Sequence, residues 1–241
     1  MSKDRMLLAV LIDADNLSAK YAEEIMNEVK TFGVPVLRRV YGDWSSPTLA
    51  TWKEEAFKLG MALKQVTANT TRKNASDIGL VIDAMDILHS GRFDGFVLVS
   101  SDSDFTALAS RLREDGAEVI GIGESKAPDS LINVCSRFIL IGNIVAASEV
   151  HIDAKTQTQH PIKQPGKLIK LIDAAMRSID TDDEWVRLGL LGSHLVRANP
   201  DFDTRAYGRA KLSDLVAKLN PFELRKQDGH FEVRKKENGK T

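Results

Sequence analysis

The chain has one cysteine, Cys135, in 241 residues. A single thiol excludes an internal disulfide framework and a CxxC-type zinc site, and it fits a reducing cytosol. No apolar run reaches the ~20 residues that a membrane-spanning helix needs. The opening MSKDRMLLAVLIDADN holds a short apolar stretch. Aspartates interrupt it and no small-residue cleavage site follows, so a first strand is expected there, not a signal peptide. Histidine is scarce as well, with His89 alone in the first 150 residues. Neither a GxxxxGK[ST] loop nor another glycine-rich phosphate cradle occurs, which argues against a phosphotransferase.

What is present is an ordinary globular composition, 43% hydrophobic and 28% charged, with enough chain to bury one large core or two small ones. The net charge of −1 conceals an asymmetry. Residues 1–150 carry 16 basic against 21 acidic side chains, and residues 151–241 carry 17 against 13. An acidic half joined to a basic half suggests a division of labour.

From residue 6 to about 142, apolar runs alternate with segments of helical period. MLLAVLI, VPVLRRVYGD, MALKQV, FDGFVLVS, AEVIGIG and RFILIG read as strands. Between them SAKYAEEIMNEVKTFG, SPTLATWKEEAFKLG, SDIGLVIDAMDILHSG, DFTALASRLREDG and PDSLINVCS read as helices, with Ser46 as an N-cap and Pro47 in the first turn. Continuous apolar strands alternating with helices indicate a parallel α/β sheet covered on both faces. The expected division is an α/β domain over 1–143, a linker over 144–165 and a small domain over 166–237. In the last, helices are expected over 167–179, 185–200 and 207–220, before a hairpin that turns at Asp228-Gly229. Three helices and a two-stranded wing make a winged helix.

Asp13 ends the first strand, and Asp102 and Asp104 follow the strand FVLVS. Residues just past the carboxyl ends of parallel strands line the ligand crevice, so these acids belong at one sheet edge. In the helix over 76–91, Ile78, Val81, Ile82, Met85 and Leu88 recur at helical spacing and define the expected buried face. Asp77 falls within the arc of Leu80, Val81, Ala84 and Leu88, whereas Asp83 and Asp86 fall on the opposite side. Each aspartate alone has an ordinary reading as turn former or N-cap, and Asp104 as the cap of the helix it begins. Their joint occurrence points further, because carboxylates brought together either take up protons or bind a cation. Oxygen ligands suit Mg²⁺ or Mn²⁺, which keep waters and engage phosphates.

The segments LIDADN, NASDIGLVIDAMD and FVLVSSDSDFTALASRLREDGAEVIGIG, in that order, resemble the NYN branch of the PIN-like nuclease superfamily. The resemblance covers residues 6–142 and implies a three-layer α/β fold with metal-dependent cleavage of RNA in an acidic pocket. It implies metal coordination by Asp13, Asp77, Asp102 and Asp104, with Asn16 as the polar residue beside them. Ser101 stands where the SGDSDF pattern has glycine, and Asp15 and Asp83 also occupy motif positions. The C-terminal WVRLGLLGSHLVRANPDFDTRAYGRAKLSDLVAKLNPFELRKQDGHFEVR resembles the OST-HTH, or LOTUS, domain, a family associated with RNA binding and with protein partners.

Cations that would hold a phosphate backbone are Arg38, Arg72 and Lys73 near the acids, and Arg209, Lys211, Arg225 and Lys226 in the C-terminal module, beside Arg205, Arg234, Lys235 and Lys236. Charge runs are more often solvated faces. Trp44 is either a base-stacking ring or a packing residue beneath the helix of Trp52. The combined expectation is a cytoplasmic, Mg²⁺- or Mn²⁺-dependent endoribonuclease acting on single-stranded RNA. A non-catalytic RNA-binding adaptor on the same fold is the alternative.

Overall fold

The computed structural model describes residues 5–65, 75–152, 164–181 and 183–236. Contacts divide the chain into two compact units, Met1–Ser148 and Glu149–Thr241. The first contains strands β1 (Leu7–Asp13), β2 (Val34–Gly42), β3 (Ala62–Gln65), β4 (Gly95–Val99), β5 (Glu118–Gly123) and β6 (Arg137–Leu140). Its helices are α1 (Ala22–Phe32), α2 (Ala50–Lys58), α3 (Ala75–His89), α4 (Thr106–Glu114), α5 (Asp129–Val134) and α6 (Ile141–Ile152). The strands form one sheet in the order β3-β2-β1-β4-β5-β6, and every pairing is parallel.

Strand periodicity makes the layers. Leu8, Val10 and Ile12 of β1 face a core with Ala22, Ile25 and Val29 of α1, Trp52 of α2 and Ile144 of α6. Ala9 and Leu11 face the opposite core with Leu80, Ala84 and Ile87 of α3, Leu108 and Leu112 of α4 and Leu131 of α5. Successive side chains of a strand point to opposite faces, so a run without polar interruptions is buried from both sides. The result is a three-layer α/β/α domain. Before α2, Ser46 Oγ accepts the N–H of Thr48 at 3.3 Å, and Pro47 opens the 3₁₀ turn Pro47–Leu49. Inside the first core, Trp52 Nε1 donates to the carbonyl of Leu17 at 2.7 Å, which satisfies the one polar atom of a buried indole.

Two expectations change here. Helix α3 is rotated from its expected orientation: Leu80, Ala84 and Ile87 are buried, while Ile78 and Ile82 are 59% and 58% exposed. Residues 144–152, expected within the linker, belong to α6, because Ile141 and Ile144 bury against the sheet. The rest of that stretch, up to residue 163, lies outside the described residues.

The second unit contains α7 (Pro165–Arg177), β7 (Val186–Arg187), α8 (Leu188–Ala198), α9 (Leu212–Val216), β8 (Phe222–Gln227) and β9 (His230–Lys235). Leu168 and Ile172 of α7, Leu191 and Leu195 of α8, Leu215 and Val216 of α9, and Val186, Phe222 and Val233 of the strands share one core. The sheet is antiparallel in the order β7-β9-β8. At the hairpin tip Asp228 and Gly229 have φ of 49° and 80°, the two positive values a two-residue type I′ turn requires. The single helix expected over 207–220 is instead a 3₁₀ turn, Thr204–Tyr207, and the short α9. Gly208 between them sits at φ 78°, which ends the turn in a conformation that glycine adopts without strain. Among the described residues no helix is long and apolar enough to cross a membrane.

Candidate active site

The strand order reverses direction between β1 and β4. A crevice opens beyond the carboxyl ends of two parallel strands at such a switch point. Asp13 is the last residue of β1, and Ser100, Ser101 and Asp102 directly follow β4. Asp13 is buried, 1% exposed. Its Oδ2 accepts from Ser100 Oγ at 2.9 Å and from Asn16 Nδ2 at 3.0 Å, and its Oδ1 accepts the N–H of Asp15 at 3.2 Å. Burial raises the Asp13 pKa, opposed by the Asn16 and Ser100 hydrogen bonds and reinforced by the charge of Asp15.

Ser100 joins the two strand ends, because its Oγ also accepts the N–H of Asp102 at 3.1 Å. Asp102 in turn accepts the N–H of Asp104 at 3.0 Å and so caps the 3₁₀ turn Ser103–Phe105. The capping role weighed for Asp104 therefore belongs to Asp102, which leaves Asp104 an exposed acid within the turn. Asp77 stands half-buried in the first turn of α3, on the same helical stripe as Leu80, Ala84 and Ile87. Its pKa is pushed up from 3.8 to about 6, first by burial and then by the charges of Asp13, Asp102, Asp104 and Asp15. Five carboxylates from three chain segments thus share one electrostatic neighbourhood. Beside Asp102 a cavity of about 340 Å³ is lined by Asn16, Ser101, Asp102, Ser103, Lys126 and Pro128.

The donor chemistry suits a hard divalent cation, since every acid here offers oxygen and, after burial, repulsion from its neighbours raises Asp77. Among the described residues, however, no three His, Cys, Asp or Glu side chains form a closed ligand group. That openness is compatible with Mg²⁺, which binds through one or two carboxylates and keeps several waters.

Asp83 requires a correction. It does not point away from the sheet: its carboxylate accepts from the Arg39 guanidinium and from Tyr41 Oη at 2.5 Å on β2, with Lys64 Nζ at 3.9 Å. Three residues beyond Leu80, it lies on the inner edge of the rotated helix. Its charge is compensated there, whereas among the described residues no cation pairs with Asp77. Arg39 and Tyr41 stand two apart on β2 and so share a face, but that this face meets α3 follows only from the packing of α3 on the sheet.

The expected cations divide by their partners. Arg38 donates to the carbonyl of Leu59 at 3.0 Å, closing the end of α2. Arg72 and Lys73 lie outside the described residues. In the second unit Arg209 donates to the carbonyl of Gly208 at 2.8 Å, and Lys211 is exposed at the N-cap position of α9. Arg225 pairs with Glu232 at 2.7 Å and lies 4.1 Å from the Trp185 ring centre. Lys226 stands 6.0 Å from that of Phe231. Arg205 is gripped by the buried Asp203 through bonds of 2.7–3.0 Å, and Arg234 and Lys235 pair with Glu223 and Asp173. Much of the wing's positive charge is therefore neutralised within the domain. Trp44 packs against the core that contains Trp52.

Fold and crevice together define a PIN-like α/β domain followed by a small winged-helix domain. The NYN domain family matches residues 7–142 and the OST-HTH/LOTUS domain family matches residues 161–234. The chain belongs to the NYN domain family and carries a C-terminal OST-HTH/LOTUS domain. NYN domains are generally nucleases and LOTUS domains bind RNA. Among solved structures, a Vibrio parahaemolyticus protein of unknown function is similar at 20% identity and a TM-score of 0.49, covering 58% of this chain and 96% of its own. An uncharacterised Nitrosomonas europaea protein is similar at 30% identity and a TM-score of 0.28, covering 34% of this chain and 85% of its own. Neither superposes closely enough to bear on function. No curated protein matches the chain.

Proposed function

We propose that this chain is a metal-dependent ribonuclease, an endonuclease acting on single-stranded RNA in the cytoplasm. The observation that carries the reading is the concentration of carboxylates at the switch point, where burial first and then the neighbouring charges push the Asp77 pKa to about 6. Asp13, Asp77 and Asp102 would hold the ion, with Asp104 as a further ligand or as the group that orients water. A bound Mg²⁺ or Mn²⁺ would supply an acidified water and offset charge on the scissile phosphate.

The protein's own part is to fix the acids. Ser100 and Asn16 hold the Asp13 carboxylate in one orientation. Ser100 also spaces Asp102 from it. Asp104, exposed in its turn, would accept a proton from the attacking water. An unpaired strand suits the site because its phosphodiester can turn toward the acids for in-line attack. The OST-HTH domain would recruit RNA or a protein partner, with the exposed Lys211 and the flank of the wing as contacts. Burial pushes the Cys135 thiol up to about 12, which keeps this single thiol inert.

The open acid arrangement among the described residues favours one other reading, an RNA-binding adaptor that keeps the fold without catalysis. Incubating the chain with single-stranded RNA, duplex RNA and DNA oligonucleotides, with added Mn²⁺ or with EDTA, separates the two. The nuclease cuts single-stranded RNA only with the metal. The adaptor binds RNA under both conditions and cuts nothing.

A further inference from the structure

A phosphodiester is an anion, and a wall of aspartates repels it. Among the described residues lining the cavity beside Asp102, Lys126 is the one with a positive charge. It lies between β5 and α5, with a side chain 61% exposed. Arg38 is not among the residues that line the cavity. The Lys126 ammonium has three donors, and its ion pair with Glu124 at 3.0 Å leaves capacity for an incoming oxygen.

Two contacts hold this loop against the acid-bearing turn. At Gly123, the end of β5, a Cβ would stand 2.7 Å from the carbonyl oxygen of Ser100 and 2.9 Å from Ser101 Oγ, so only glycine allows the approach. The next residue, Glu124, donates its N–H to Ser101 Oγ at 2.7 Å, while its carboxylate holds Lys126. Ser101 immediately precedes Asp102. A continuous path therefore runs from the acid turn through Ser101 and Glu124 to the ammonium.

We propose that Lys126 is the phosphate-contacting residue of this crevice, donating to a non-bridging oxygen of the RNA strand, and that Ser101 is the residue that positions it. The identity of the anion rests on the nuclease reading above; the placement of the cation does not. The proposal also gives a role to a serine that stands where the SGDSDF pattern has glycine. A glycine there has no hydroxyl to anchor Glu124.

The test uses the full chain. In cleavage of a short single-stranded RNA, Lys126→Ala raises KM roughly tenfold, the effect of one charge-assisted hydrogen bond, with a smaller change in kcat. The dependence of log KM on log salt flattens by about 0.7, which corresponds to one phosphate contact fewer on a single strand. Lys126→Arg restores both. Ser101→Gly raises KM by about threefold and leaves the salt dependence unchanged, as a positioning residue should. Independently of cleavage, amine acetylation read by mass spectrometry in EDTA shows Lys126 protected when the RNA is added. Protection in a chain that never cuts RNA upholds the contact and sinks the nuclease reading alone. Cleavage with unchanged KM and salt dependence in Lys126→Ala, or an unprotected Lys126, overturns the proposal.

Discussion

Replacing Asp77 with asparagine should stabilise the α/β unit in the absence of metal while depriving the crevice of a ligand. The Asp77 pKa rises from 3.8 to about 6 because burial and four neighbouring carboxylates disfavour its charged form. The folded state therefore holds the proton more tightly than the unfolded chain does. The Asp77 contribution to stability is most favourable below pH 4, falls as pH rises from about 4 to about 6, and stays reduced above that. A shift of about two units corresponds to about 3 kcal/mol at 1.36 kcal/mol per unit. Asp77 is only half-buried, so solvent screening reduces this to about 1–2 kcal/mol. For a unit of this size that is a rise in Tm of roughly 3–6 °C. Thermal unfolding followed by circular dichroism in EDTA at pH 7.5 should show the variant more stable than the parent. Near pH 4, where Asp77 is protonated in the folded state and roughly half protonated in the unfolded chain, the difference should shrink. Added Mn²⁺ should narrow it at pH 7.5 by stabilising the parent more, through mass action on the folded state. A variant that melts lower than the parent at pH 7.5 in EDTA, or a gain of equal size at both pH values, would refute the electrostatic argument.

Other consequences follow from particular contacts. Ser100→Ala removes the hydroxyl that joins Asp13 to the Asp102 backbone; the expected cost is about 1–2 kcal/mol of stability, and cleavage should fall at unchanged RNA affinity, measured by urea unfolding and by anisotropy. Gly121→Ala would place a Cβ 2.3 Å from Phe138 Cδ2 and 2.9 Å from Cys135 Sγ, so overpacking should lower stability by roughly 1–3 kcal/mol, read as an earlier urea midpoint. Asp203→Ala removes the buried carboxylate that grips the Arg205 guanidinium and uncaps the turn before α9; the second unit should lose about 1–3 kcal/mol, seen as a lowered melting transition with the α/β unit unaffected.

Much of the fold could be read from local pattern. The β1 and β4 runs are apolar throughout because both faces are covered, and Asp228-Gly229 announces its turn because both residues tolerate positive φ. The orientation of α3 could not be read in this way. Its sequence is apolar nearly all round, so two faces compete, and packing selects the one where the small Ala84 allows close approach to the sheet. Gly208 truncates the third C-terminal helix through a conformation that periodicity does not register. At the site, Asp13 and Asp102 were legible because strand ends fix them, and Asp77 because it opens a helix. The partners were not. Ser100 bridging two strand ends, Asp83 reaching Arg39, and Ser101 reaching Glu124 all depend on strand order and register, which no local window contains.

The central claim is that the acidic crevice cuts RNA through a divalent ion held by its carboxylates. Single-turnover cleavage of a labelled single-stranded RNA by the parent chain and by Asp102→Asn, each in Mn²⁺ and each in EDTA, tests it most directly. The account predicts cleavage by the parent in Mn²⁺ alone, none by the variant, and equal RNA binding by both. Undiminished cleavage by Asp102→Asn, or cleavage by the parent that persists in EDTA, would contradict it.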